Sequence, residues 1–156
     1  MERTLVFLKA DALRRGLVGE IIGRFERKGF LIEGLKMVAL SEEFVREHYA
    51  AHRGKEFYEP LVRYVTSGPA VAMVLAGRNA VAVVRRMMGE TFGSDAEPGT
   101  IRGDLALSNR YNLVHGSDSP EAAGREIGAF FEPDELVSYG EDATRWIYDQ
   151  TGPEPV

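Results

Sequence analysis

The chain has 156 residues, 44% hydrophobic and 28% charged, a balance that suits one globular domain with a single substantial core. A net charge of -5 argues against general nucleic-acid affinity, which shows as a basic face, and the absence of cysteine excludes disulfides and thiolate metal sites. No apolar run approaches the roughly 20 residues that cross a bilayer, and the one in Met1 to Lys9 is too short for a signal peptide, so the cytoplasm is the expected location.

Thr4 to Leu8 is a short β-branched and apolar run, expected to be a buried strand that delivers Lys9 and Asp11 at its end. Leu17 to Lys28 predicts a helix with Leu17, Ile21 and Phe25 on one face, stopped by Gly29 as a C-terminal cap. Phe30 to Leu40 alternates as a strand with mixed faces. Ser41, followed by two glutamates, caps a second helix that carries Phe44, His48 and Tyr49. A helical tyrosine is commonly half-buried packing, and His48 and His52 read as surface residues.

His52 to Phe57 is a polar loop ending in an aromatic, before a helix from Tyr58 to Thr66. Ser67-Gly-Pro69 breaks the chain, and Ala70 to Ala76 is continuously apolar, as in a central strand. Ala80 to Met88 is a helix with Arg85 and Arg86 near its C-terminus, where cations complement the dipole. Gly89 to Val114 exceeds the roughly 12–15 residues of an ordinary connection, which points to a functional loop. Leu113-Val114 reads as the end of a short buried strand, followed by His115 and the turn-forming Gly116-Ser-Asp-Ser119. Ser119-Pro120 opens an amphipathic helix through Phe131 that contains Glu126. Phe131 to Tyr148 should wrap the surface in short helical pieces. Residues 1–150 are expected to form the single domain, and Thr151 to Val156 a mobile tail unless a neighbouring subunit holds it.

Four segments, Asn112-Leu-Val-His115-Gly-Ser-Asp118, Gly99-Thr-Ile-Arg102-Gly-Asp104, Gly89-Glu-Thr91 and Arg15-Gly-Leu-Val-Gly-Glu20, resemble the nucleoside diphosphate kinases. The resemblance runs from about Glu2 to Tyr148. It implies an α+β, ferredoxin-like fold: a four-stranded antiparallel sheet with helices packed over it and a long inserted loop before the last strand. It also implies a ping-pong transfer of the terminal phosphoryl group from a nucleoside triphosphate, mainly ATP, to a nucleoside diphosphate through a phosphohistidine at His115. A histidine suits that carrier role because neutral imidazole is abundant near pH 7.

By the same resemblance, Glu126 accepts from the far nitrogen of His115, with Ser117 supporting that carboxylate. Lys9, Arg85 and Arg102 clamp phosphates, arginine through its planar fork. Thr91 adds a hydroxyl and Tyr49 a phenol. Asn112 and Lys9 hold the sugar hydroxyls, and Phe57 stacks on the base. Mg²⁺ arrives on the nucleotide phosphates with no direct protein ligand, Asp118 being the candidate for a contact through water. A homo-oligomer is implied, a hexamer favoured and a tetramer possible, with the long loop in subunit contacts. Membrane and nucleic-acid partners are not expected.

Three departures stand out: Lys9-Ala10-Asp11 lacks the family's usual central proline, Asn109 replaces an apolar residue, and Arg110-Tyr111 stands where glycine-arginine is usual. The first and last of these keep open an alternative, a nucleotide-binding regulator of the same family with weak turnover.

Overall fold

The computed structural model describes residues 1–140, 144–149 and 151. Strand β1 (Glu2–Leu8) runs into a short helix α1 (Ala10–Arg14) and then α2 (Val18–Lys28). The expected helix therefore begins one residue later, with Leu17 as its N-cap, and α1 was not foreseen. Ile21 and Phe25 are fully buried, and Gly29 closes α2 at φ 103°, the left-handed conformation that glycine adopts without a Cβ clash. Strand β2 (Leu31–Val38) follows, then α3 (Glu42–His48), whose Ser41 cap accepts from the Phe44 N–H at 3.1 Å. A 3₁₀ turn (Ala50–His52) leads to α4 (Tyr58–Val65), the wholly buried β3 (Ala70–Gly77) and α5 (Ala80–Met88). The long excursion from Gly89 to Leu113 holds one short helix, α6 (Ile101–Leu105), before β4 (Val114–Gly116) and α7 (Pro120–Phe130).

The sheet order is β2-β3-β1-β4, with every neighbouring pair antiparallel. This is the ferredoxin-like arrangement. Alternation along β1 sends Val6 and Leu8 to one face, against α2 and α5, and Leu5 and Phe7 to the other, against α3, α4 and α7. A register shift between Ile32 and Gly34 in β2 breaks the pleat, and beyond it Leu35 and Met37 stand 52% and 66% exposed on this edge strand.

His115 does not follow the strand, as the sequence reading had it; it is the middle residue of β4 and pairs with Phe7 of β1. Leu113 lies outside the strand at φ 69°, in a tight turn closed by the Val114 N–H on the Asn112 carbonyl at 2.7 Å. Positive φ is unusual for a bulky residue, and three contacts hold it: Asp11 Oδ2 accepts from the Leu113 N–H at 3.1 Å, the Leu113 carbonyl accepts from the Lys9 N–H at 2.8 Å, and the side chain is fully buried. Of the expected tail, residues 152–156 lie outside the described residues, while Thr151 donates to Asp149 through both its N–H and its hydroxyl.

Candidate active site

The end of β1, β4 and the loop from Gly89 converge on a cavity of about 890 Å³, a size that holds a small ligand. Every site residue singled out from sequence except Ser117 lines it, and Ser117 is buried behind the wall.

His115 is fixed on two sides. Its ring stacks on Phe7 at a centroid distance of 4.7 Å, and Nε2 lies 3.3 and 3.2 Å from the two oxygens of Glu126. Glu126 is held in turn by the Ser117 hydroxyl, which donates to Oε2 at 2.6 Å. Burial works to raise the Glu126 carboxyl, but the bonds from His115 and Ser117 outweigh it and leave the group below its ordinary value. An ionised carboxylate only accepts, so Nε2 carries the proton and Nδ1 keeps the lone pair. Burial also lowers the His115 imidazole below its ordinary value, despite the Glu126 carboxylate beside it. The ring is thus neutral and oriented, with one nucleophilic nitrogen.

Around it the charge is positive. Lys9 Nζ donates to Asn112 Oδ1 at 2.7 Å, and the Asn112 amide donates to the Thr91 carbonyl at 2.8 Å, so these three form one polar chain across the site. Burial, with Arg102 nearby, brings the Lys9 ammonium down to about 7, against the opposing pull of Asp11. Ala10 opens α1 at a position that proline can occupy, and its exchange for proline's usual place leaves Lys9 anchored. Tyr49 is buried, its hydroxyl pushed upward by burial and by Glu126, and that hydroxyl has no hydrogen-bond partner among the described residues. Phe57 is 46% exposed at the mouth.

Arg102 has a second task. Its guanidinium donates to the carbonyls of Asn112 (3.2 Å), Gly89 (3.0 Å), Glu90 (3.3 Å) and Val114 (2.7 Å). It ties the two ends of the long excursion together, while burial and the neighbouring Arg85 pull it down to about 10.

His48 corrects the sequence reading. Its side chain is only 7% exposed, its ring lies edge-on to His115 at 4.8 Å, and Nε2 is 3.8 Å from Glu126 Oε1. Burial, with His115 beside it, lowers its imidazole below the ordinary value. His52 is not free surface either: it lies at the mouth between Tyr49 and Phe57. The signal for His48 was present, since Phe44, Val45 and His48 share the buried face of α3 at helical spacing.

The family model for nucleoside diphosphate kinase matches residues 2–136. A nucleoside diphosphate kinase of Pelotomaculum thermopropionicum is 54% identical over 96% of this chain and 100% of its own length. One of Thermus thermophilus is 58% identical over 88% of this chain and 100% of its own. Among solved structures, a halophilic nucleoside diphosphate kinase from Halobacterium salinarum in complex with CDP superposes with a TM-score of 0.92 at 47% identity, covering 95% of this chain and 99% of that one. The oriented histidine inside a basic cavity and these likenesses agree: the chain belongs to the nucleoside diphosphate kinase family, enzymes that move a phosphoryl group between nucleotides.

Proposed function

We propose that this chain transfers the terminal phosphoryl group of a nucleoside triphosphate, chiefly ATP, to a nucleoside diphosphate by way of His115. The observation that carries the reading is the chain Ser117–Glu126–His115, which leaves Nδ1 as the free nucleophile in a cationic cavity. Nδ1 attacks the terminal phosphorus, the bond from phosphorus to the bridging oxygen breaks, and the diphosphate leaves with that electron pair. Glu126 offsets the positive charge that develops on the ring. A second diphosphate then reverses the step through its own terminal oxygen. Two nucleotides bound together would set many negative charges against each other; sequential occupancy of one site avoids this.

Lys9, Arg85 and Arg102 oppose the phosphate charge, Arg102 mainly as a fixed positive centre because most of its N–H groups already meet carbonyls. Tyr49 offers a hydroxyl that has no partner among the described residues, and Thr91 a second one. Lys9 and Asn112 face the sugar, and Phe57 stacks on the base. Mg²⁺ suits this site as part of the substrate: the lining has many cations and few free carboxylates, so phosphate and water would supply most of its oxygen ligands, and Asp118 would be the residue to meet it through water. When bound, the ion neutralises phosphate charge.

Action in the cytoplasm fits a chain whose described helices are all too short or too polar to cross a membrane. Assembly as a homo-oligomer is supported by Leu35 and Met37 exposed on edge strand β2, and the full length of the loop from Gly89 favours a hexamer before a tetramer by family likeness. Residues 1–150 act as one domain. Steady-state kinetics with ATP and a second diphosphate test the reading. Parallel double-reciprocal lines are expected; intersecting lines would mean both nucleotides bind together, and the covalent route would fall.

A further inference from the structure

His48, His115 and Glu126 form a group for which phosphoryl transfer gives only half an account. A ring nitrogen of each histidine and a carboxylate oxygen all lie within 4.8 Å of one another, and no other cluster of this kind occurs among the described residues. His48 is caged by rings: Phe7, Phe44, Tyr49 and Phe130 all lie within 4.7–6.1 Å of it. Nothing in the transfer reaction needs a second buried imidazole edge-on to the nucleophile.

We propose that these three side chains form a binding site for a borderline transition-metal ion, with Zn²⁺ the natural occupant, and that metal and phosphoryl group compete for His115. Two imidazoles and one carboxylate, with a fourth position open to the cavity, are the donor set of an open zinc site. Bonds of about 2.0–2.1 Å in a tetrahedron place ligand atoms roughly 3.3 Å apart. Taken to the one oxygen Oε1, His115 Nε2 stands 3.3 Å away and His48 Nε2 3.8 Å, and all three ligand atoms lie within 4.8 Å of one another, so closing the site needs the His48 ring to move inward toward the other two. Ser117 grips Oε2 at 2.6 Å and orients the carboxylate from behind, as an outer partner does for a metal ligand. Mg²⁺ prefers oxygen donors and keeps its waters, so it does not compete for two imidazoles.

Occupancy has a chemical consequence. Nε2 of His115 must give its lone pair to the ion, so its proton moves through solvent to Nδ1. The ring stays neutral and no proton is lost overall, but Nδ1 then bears hydrogen where it had bore its lone pair. Attack on phosphorus stops until the metal leaves. The ion is thus a reversible inhibitor acting at the nucleophile.

The test uses tag-free, metal-free full-length chain, titrated with Zn²⁺ by calorimetry and with Co²⁺ by visible absorption, in the absence of nucleotide. One ion per chain and the intense absorption of four-coordinate Co²⁺ are expected. His48→Asn and Glu126→Gln, each checked for folding by circular dichroism, should weaken Zn²⁺ by at least roughly tenfold, the lower figure for losing even an outer partner of a metal site. His52→Asn should leave it unchanged. In a second arm, Zn²⁺ added with excess Mg-ATP should suppress labelling of His115. Affinity unchanged in His48→Asn, or lost only in His52→Asn, would overturn the proposal, as would a six-coordinate Co²⁺ spectrum in the parent should either variant fail to fold. The binding arm involves no nucleotide, so its failure would leave the phosphoryl-transfer reading untouched.

Discussion

Glu126 Oε2 stands 3.2 Å from His115 Nε2, which decides which ring nitrogen carries hydrogen and which attacks. Replacing the carboxylate by an amide keeps the shape and removes the charge. Glu126→Gln should lower turnover by about 1.5–3 kcal/mol, the worth of a hydrogen bond to a charged group, or roughly ten- to a hundredfold. Ser117→Ala should move turnover in the same direction by less. Single-turnover rates with ATP check both, and an unaltered rate in Glu126→Gln would show that the carboxylate charge is not needed.

The acid limb of turnover follows from His115. Its imidazole lies below the ordinary value because of burial, so the neutral nucleophile persists as pH falls past about 6.5, the unperturbed histidine value. The midpoint of activity loss on acidification should lie below that of a free histidine. A midpoint above it, in the pH dependence of kcat/KM, would mean that Glu126 dominates over burial.

Lys9 gives an opposite dependence at the alkaline side. With its ammonium near 7 in the free chain, Lys9 is largely uncharged at pH 8, whereas a bound phosphate favours the charged form. Nucleotide binding at pH 8 should therefore take up a proton, and at pH 6, where Lys9 is already charged, its share of that uptake should vanish. Calorimetry in buffers of different ionisation enthalpy measures the uptake, which Lys9→Gln should remove. Equal proton uptake in parent and variant would assign it elsewhere.

Arg85 and Arg102 should separate. Arg102 closes the excursion through four carbonyls, so Arg102→Ala should lower stability by several kcal/mol, at about 1.5–3 kcal/mol for each hydrogen bond of a charged donor. Arg85→Ala should leave thermal unfolding nearly unchanged yet lower turnover by roughly 2–4 kcal/mol, the scale for a lost preorganised donor. Paired calorimetry and kinetics decide; equal melting in both variants would refute the structural task of Arg102.

Base tolerance should be broad. Phe57 offers stacking worth about 1–3 kcal/mol per base, available to every base. Asn109 lies on the cavity wall, with its Oδ1 accepting from the Ser94 hydroxyl at 2.7 Å. Similar efficiencies are expected for adenine, guanine, cytosine and uracil diphosphates, with a modest affinity gain in Asn109→Val. Strong preference for one base that disappears in the variant would show that the Asn109 amide reads a base edge.

Long, uninterrupted patterns carried their meaning in the sequence. The apolar run of β3, the span of α5 and the caps at Ser41, Gly29 and Ser119 appear in the structure where their chemistry put them. Helix α1 escaped because five residues are too few to show a helical period. The outward turn of Leu35 and Met37 escaped because a register shift in β2 resets which face each residue takes. Family likeness pointed to Arg102 as a phosphate ligand, yet its carbonyl partners at Gly89, Glu90, Asn112 and Val114 meet only when the excursion has folded. The spacing of His48 from Phe44 marks it for the buried face of α3, while its polarity suits the surface equally well.

Incubation with Mg-ATP followed by intact mass measurement tests the covalent role of His115 most directly. The account predicts one added phosphoryl group, labile in acid and stable in alkali, absent from His115→Ala. An acid-stable adduct, or one that still forms in His115→Ala, would contradict it.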